Sequence, residues 1–147
     1  MADLEDVRRL GAAEQFLAVF TVSDRPGHVH ASVVNAGVIG DPVDWSPGVA
    51  AVVGGDSRKL ELLRHVGQAT VVFRSGWQWV AVSGPVRLIG PDDGIEFGLD
   101  VPETIRSVFR AAGGSHDDWD EFDRVMAAER RCAVFVQAER ITSNSGS

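Results

Sequence analysis

The chain has 147 residues, 44% of them hydrophobic and 24% charged, with 14 basic against 21 acidic side chains and a formal net charge of −7. A length of this order makes one domain, residues 1–147, that buries roughly 70% of its unfolded surface and needs neither metal nor disulfide to hold a core. The acid excess excludes broad nucleic-acid binding, which needs a basic face, and no run approaches the roughly 18 apolar residues of a membrane span.

The elements follow in order. A short helix is expected around Asp3 to Ala12, after an acidic start that is unlike a secretory signal. Phe16 to Val22 is an almost unbroken apolar run, readable as a strand buried on both faces. The turn Ser23-Asp24-Arg25-Pro26-Gly27 leads into a second strand, His28 to Val38. Alternation there puts Val29, Ala31 and Val33 on a face expected to meet the core, and His28, His30 and Ser32 on a polar face. Gly40 to Gly48 reads as a loop and Val49 to Val53 as a third strand. A short helix follows, with Asp56 or Ser57 as N-cap and Gly67 as stop. Gln68 to Arg74 is the next strand, Ser75-Gly76 a tight turn, and Trp77 to Ile89 a long strand. In that strand Val80, Val82, Val86 and Leu88 share a face, Gly84 marks a bulge or bend, and Pro85 points to an edge.

Beyond Pro91 the pattern turns helical. Asp100-Val101-Pro102-Glu103 opens one helix, with Ile105, Val108, Phe109 and Ala112 at helical spacing and Gly113-Gly114 as the stop. A second helix is expected from about Asp117 to Arg130, with Trp119, Phe122, Val125 and Met126 on its apolar side. Cys132 to Ala138 is the last strand, and the final five polar residues are expected to fray. Many short strands with Gly and Pro punctuation, then helices, predict a mainly β, α+β domain built on a small antiparallel sheet or barrel.

Thirteen of the 14 basic residues are Arg and one, Lys59, is Lys. Lys59 falls in Gly54-Gly55-Asp56-Ser57-Arg58-Lys59, where two cations occupy the first turn of a helix against its macrodipole. With two glycines, a serine hydroxyl and free helix N–H groups, the stretch makes a phosphate cradle, or else a solvated helix start. His28 and His30 have a spacing that can place two imidazoles on one metal, but no third ligand is evident, so no metal site is expected. Trp77 and Trp79 share a strand face and would line a groove or a subunit contact. Cys132, the lone cysteine, has no basic motif beside it and reads as a core residue in a protein of the reducing cytoplasm. The acidic run His116-Asp117-Asp118-Trp119-Asp120-Glu121 suits the dipole of a helix start.

Three stretches together resemble the split-barrel flavin and deazaflavin proteins related to pyridoxamine 5'-phosphate oxidase. They are Pro26-Gly27-His28-Val29-His30-Ala31-Ser32-Val33-Val34, Ser57-Arg58-Lys59-Leu60-Glu61-Leu62-Leu63-Arg64 with Ala69-Thr70-Val71-Val72-Phe73, and Phe109 to Phe122 with Arg130-Arg131 beyond it. The Gly-x-His-x-Asp-Trp-Asp pattern of the last stretch resembles the branch that binds the deazaflavin coenzyme F420. The resemblance implies a Greek-key split β-barrel that forms a homodimer, with two cofactor grooves at the subunit interface. It implies that Lys59 binds the cofactor phosphate with Ser57 or Arg58, and that His30, Ser32 and Asn35 border the ring. Val53 and Gly54 would give backbone contacts, and Trp77 and Trp79 would lie near the groove.

Leu62 stands where relatives often show Asn, His65-Val66-Gly67-Gln68 replaces an Asp-Pro-Arg ending, and the Arg that many relatives carry at the position of Ser57 is at 58. The implied activity is a cytoplasmic oxidoreductase that passes a hydride between reduced F420 and a small-molecule acceptor. The alternatives are an FMN-binding oxidoreductase of the same fold and a non-catalytic F420 carrier.

Overall fold

Residues 1–144 are described by the computed structural model. Helix α1 (Leu4–Ala13) opens on a reciprocal cap, in which the Asp3 carboxylate accepts from the Asp6 N–H and Asp6 accepts from the Asp3 N–H. Strands β1 (Leu17–Ser23), β2 (Val29–Val38) and β3 (Gly48–Val53) follow, then helix α2 (Arg58–Val66) and the hairpin of β4 (Gln68–Ser75) and β5 (Gln78–Ile89). Helices α3 (Val101–Ala111) and α4 (Trp119–Ala128) precede β6 (Cys132–Gln137) and β7 (Arg140–Ser143).

All strand pairs are antiparallel, in the order β4-β1-β2-β3-β6-β5, and pairing of β4 with β5 closes the ring. Cys132 to Ala138 is not the last strand, as the sequence had suggested: β7 continues the line of β6 and pairs with the first half of β5, whose second half pairs with β6. The result is a six-stranded antiparallel barrel with four flanking helices, the split barrel expected from the sequence. Pro85 sits where β5 changes partner from β7 to β6, opposite Gln68 of β4, a place where a missing N–H costs little.

The barrel interior is packed with Phe20, Phe73, Val71, Val80 and Val82, and α1 and α2 press Val7, Leu10, Leu60 and Leu63 onto the same cluster. A second cluster lies on the other side of β3 and β6, where Ile105, Val108 and Phe122 of α3 and α4 meet Ala50, Ala133 and Phe135. β3 and β6 are therefore covered on both faces, as their unbroken apolar sequences require. Cys132 is fully buried and burial pushes its thiol up to about 12, so the folded protein should resist iodoacetamide at neutral pH and react only on unfolding. Fast alkylation without denaturant would show that β6 opens locally.

Three further expectations need correction. In β2 the faces are reversed: Val29 and Val33 are 66% and 65% exposed, while His30 and Ser32 point inward, opposite Val22 and Phe20 of β1. His30 Nδ1 and Ser32 Oγ are buried without a hydrogen-bond partner among the described residues. Alternation gave the two faces correctly, but the rule that the apolar face turns inward fails here. β1 is likewise covered on one side only, with Leu17 and Val19 outside. Third, the tail does not fray at Ser143 and Asn144. Ser143 ends β7, and Asn144 clamps the β4–β5 turn by accepting from the Trp79 N–H at 3.1 Å and donating to the Trp77 carbonyl at 2.7 Å. The rest of the expected frayed tail, residues 145–147, lies outside the described residues.

Candidate functional site

A groove of about 550 Å³ opens where the end of β3 and the start of α2 face the α3–α4 segment, a volume in the range of small-molecule sites. Its floor is apolar, formed by Val34, Val52, Val53, Val108 and Phe109, with Phe122 and Met126 of α4 beside them. Its charged end is made by Lys59 and Arg131.

The turn between β3 and α2 sets that end. Ser57 caps α2, accepting from the Leu60 N–H at 3.3 Å while its hydroxyl donates to the Gly54 carbonyl at 2.8 Å. Arg58 turns away to Asp24 at 2.7 Å and Glu61 at 3.1 Å. Lys59 is left facing the groove with no ion-pair partner among the described residues. Partial burial and the nearby Arg131 guanidinium together push its ammonium below the usual lysine value. A group depressed in this way charges at a cost in the folded state, so an anion binding beside it relieves that cost.

Arg131 reaches the same end from the other side of the chain. α4 stops with Arg130 in the left-handed region, φ 49°, and the Arg131 N–H closes the turn on the Met126 carbonyl at 3.0 Å. Gly55 packs against this turn, its N–H donating to the Glu129 carbonyl at 3.1 Å, and a Cβ there would collide with the Arg130 carbonyl. Gly55 thus serves close backbone packing against the turn after α4, while Gly54 lines the groove.

Two further features shape the walls. Gln15 and Phe16 both have positive φ, 58° and 60°, a strain of roughly 1–3 kcal/mol for each residue. It is held by the Phe16 N–H on the Gly11 carbonyl at 2.7 Å and by the Asn35 amide on the Gln15 carbonyl at 2.9 Å. The Phe16 ring then fills the space beside Gly113, φ 80°, where a Cβ would come within 2.7 Å of it. α4 is held over the groove by aromatic contacts: Phe122 lies 4.8 Å from Phe109 and 5.2 Å from Trp119, and Arg110 covers Trp119 at 4.6 Å. Arg106 binds Asp123 at 2.9 and 2.5 Å and holds that carboxyl below the usual carboxylate range.

In the stretch 115–119, Asp118 caps α4, accepting from the Glu121 N–H at 3.1 Å. The His116 Nδ1 accepts from the Asp118 N–H at 3.1 Å, with its ring against Phe122 at 5.7 Å.

Of the residues singled out in the sequence, the structure brings Asn35, Val53, Gly54 and Lys59 into the groove lining. His30 and Ser32 lie inside the barrel, Ser57 and Arg58 are engaged as described, and Trp77 and Trp79 lie on the outer hairpin, 94% and 38% exposed. Arg131, Gln15 and Met126 were not singled out. Nothing local in the sequence tells that Arg131 stands opposite Lys59.

No protein-family model and no curated protein matches the chain. Solved structures do. The conserved hypothetical protein Rv2991 of Mycobacterium tuberculosis superposes with a TM-score of 0.68 at 15% identity, over 97% of this chain and 84% of its own. A pyridoxamine 5'-phosphate oxidase-related, FMN-binding protein of Nostoc punctiforme gives 0.59 at 12% identity, over 97% and 84%. HutZ, a heme storage protein of Vibrio cholerae, gives 0.57 at 10% identity, over 97% and 94%. At these identities the likeness is one of fold. The barrel is the split barrel of pyridoxamine 5'-phosphate oxidase-like proteins.

Proposed function

We propose that the groove holds a phosphate-bearing cofactor of flavin type and that the protein is an oxidoreductase acting on a small organic molecule. The observation that carries this is the pairing of Lys59 with Arg131 at one end of an otherwise apolar groove. Lys59 has no carboxylate partner among the described residues and Arg131 is bonded to Glu129 through Nε alone, so both have donors left for a bound anion, and the apolar floor suits a flat ring. The residues fit such a group: Lys59 and Arg131 for the phosphate, Val53 and Gly54 for backbone contacts, Asn35 and Gln15 at the rim. When bound, the cofactor supplies the hydride chemistry. The chain's own part is to fix the phosphate, to hold the ring against Val34, Val52 and Phe109, and to keep water out with α4.

Coenzyme F420 is the leading reading, supported by the Gly114-Ser115-His116-Asp117-Asp118-Trp119-Asp120 pattern. FMN is the alternative, supported by the Nostoc neighbour. Titrating the protein with each, following Trp fluorescence, decides between them. Failure of both to bind at micromolar concentration ends the proposal. A heme-storing neighbour of the same fold is the reason to measure turnover separately. If no enone, quinone or tetrapyrrole speeds oxidation of the bound reduced cofactor, the protein is a carrier.

The same reading includes a homodimer in the cytoplasm. Across the outer sheet face Val33, Val19, Val72 and Ala81 stand in register on β2, β1, β4 and β5; Val33 and Val19 are exposed there, as are Leu17 and Val29. Val33 and Asn35 belong both to this face and to the groove, so a second copy docked here would close the groove's open side. Trp77 and Trp79, outside this chain's groove, would then be available to the partner's. Val33→Glu should convert a dimer to a monomer in sedimentation equilibrium, because a buried unpaired carboxylate costs several kcal/mol. A wild-type protein that is monomeric at high micromolar concentration removes the dimer from the proposal.

A further inference from the structure

Met126 and Arg131 line a second cavity as well as the groove. It measures about 180 Å³ and lies between the start of α3 and the face of α4, walled by Pro91, Val101, Pro102, Ile105, Met126 and Ala127. The wall is almost wholly apolar. Two charged residues stand at its rim, and they differ in what they have left to offer. Asp123 is taken by two hydrogen bonds from Arg106, at 2.9 and 2.5 Å. Arg131 donates from Nε to Glu129 at 2.8 Å, and its Nη1 and Nη2 have no partner among the described residues.

Size and charge narrow the occupant. A dry cavity of about 150 Å³ lined by aliphatic and aromatic side chains takes one benzene ring, so 180 Å³ takes a single six-membered ring with little to spare. The free edge of a guanidinium matches a planar carboxylate in two parallel hydrogen bonds. We propose that the cavity binds a monocyclic aryl carboxylate, with the ring between α3 and α4 and the carboxylate on the Nη atoms of Arg131. The proposal does not rest on the cofactor reading, since it needs no ligand in the groove, although the two sites share Arg131. Through Arg131 the cavity is coupled to the groove, and occupation of either site changes affinity at the other by the same factor.

The chain has two methionines, and Met1 is fully exposed, so protein labelled with 13C at the methionine methyl gives one reporter in the cavity wall and one internal reference. Benzoate titrated into this protein, without cofactor, should move the Met126 signal saturably at millimolar concentration and leave Met1 in place. Acetate, which lacks the ring, should move neither. Arg131→Gln should weaken benzoate at least tenfold while leaving the weaker binding of benzyl alcohol unchanged. Ala127→Phe, at an exposed helix position, should fill the mouth and abolish both, with the helical circular dichroism intact. An unmoved Met126 signal overturns the proposal. So does benzoate binding that survives Ala127→Phe, which would place the ligand in the groove.

Discussion

Lys59→Ala is expected to weaken a phosphate-bearing cofactor by roughly 10- to 100-fold, the value of one charge-assisted hydrogen bond in a partly desolvated site. Stability should not fall. The side chain has no ion-pair partner among the described residues, and its charge sits near Arg131 under partial burial, so its removal relieves repulsion and leaves the melting temperature level or raised. The salt dependence of binding should flatten too, with one fewer charge facing the anion. Lys59→Arg should retain most of the affinity. Isothermal titration with F420 or FMN, alongside a thermal melt, reads all of these. Unchanged affinity in Lys59→Ala would mean that the phosphate is held elsewhere and that Lys59 is a surface cation.

Gly55→Val should do the reverse, harming the fold first. The new side chain enters space held by the Arg130 carbonyl and Cβ, on a turn already committed to a left-handed Arg130 and to the Gly55 N–H bond with Glu129. Forced overpacking of this kind costs about 1–3 kcal/mol, which lowers the melting temperature by roughly 3–12 °C in a domain of this size. The displaced turn carries Arg131 with it, so the folded fraction should also bind phosphate more weakly. Gly54→Ala is the control: a Cβ there meets only the Asp56 carboxylate, at 3.6 Å, and stability should stay within about 1 kcal/mol. Equal effects of the two substitutions would contradict the close approach of Gly55 to α4.

Most of the fold could be read from the chain because its punctuation is local. Asp3, Ser57 and Asp100 cap the helices they precede, and the tight turn at Ser75-Gly76 joins the strands that close the barrel. What could not be read depends on neighbours distant in sequence. β2 alternates cleanly, yet which face turns inward is decided by how β2 and its neighbours β1 and β3 curve within the barrel. β7 carries little signal of its own: Arg140–Ser143 has only Ile141 as an apolar residue and gains its strand geometry by pairing with β5.

The groove divides in the same way. Lys59 stood out because a cation in the first helical turn opposes the dipole, a purely local anomaly. Arg131 carries no such mark, since its position depends on the turn after α4 meeting Gly55. Val125 lay on the apolar side of the expected helix, yet it is 42% exposed, because α4 contacts the body of the protein along a narrow stripe through Phe122.

The meeting of Gly55 with the turn after α4 also bears on the order of events as the chain folds. The strands β1 to β5 and their two small helices can close most of the barrel from contacts made early in the chain, but the anion end of the groove exists only once Arg130 has docked. Loop closure over that span is slow compared with forming the β4–β5 hairpin. Anion affinity should therefore be the last native property to return on refolding, after circular dichroism has recovered, and a ligand present from the start would hasten none of the earlier steps.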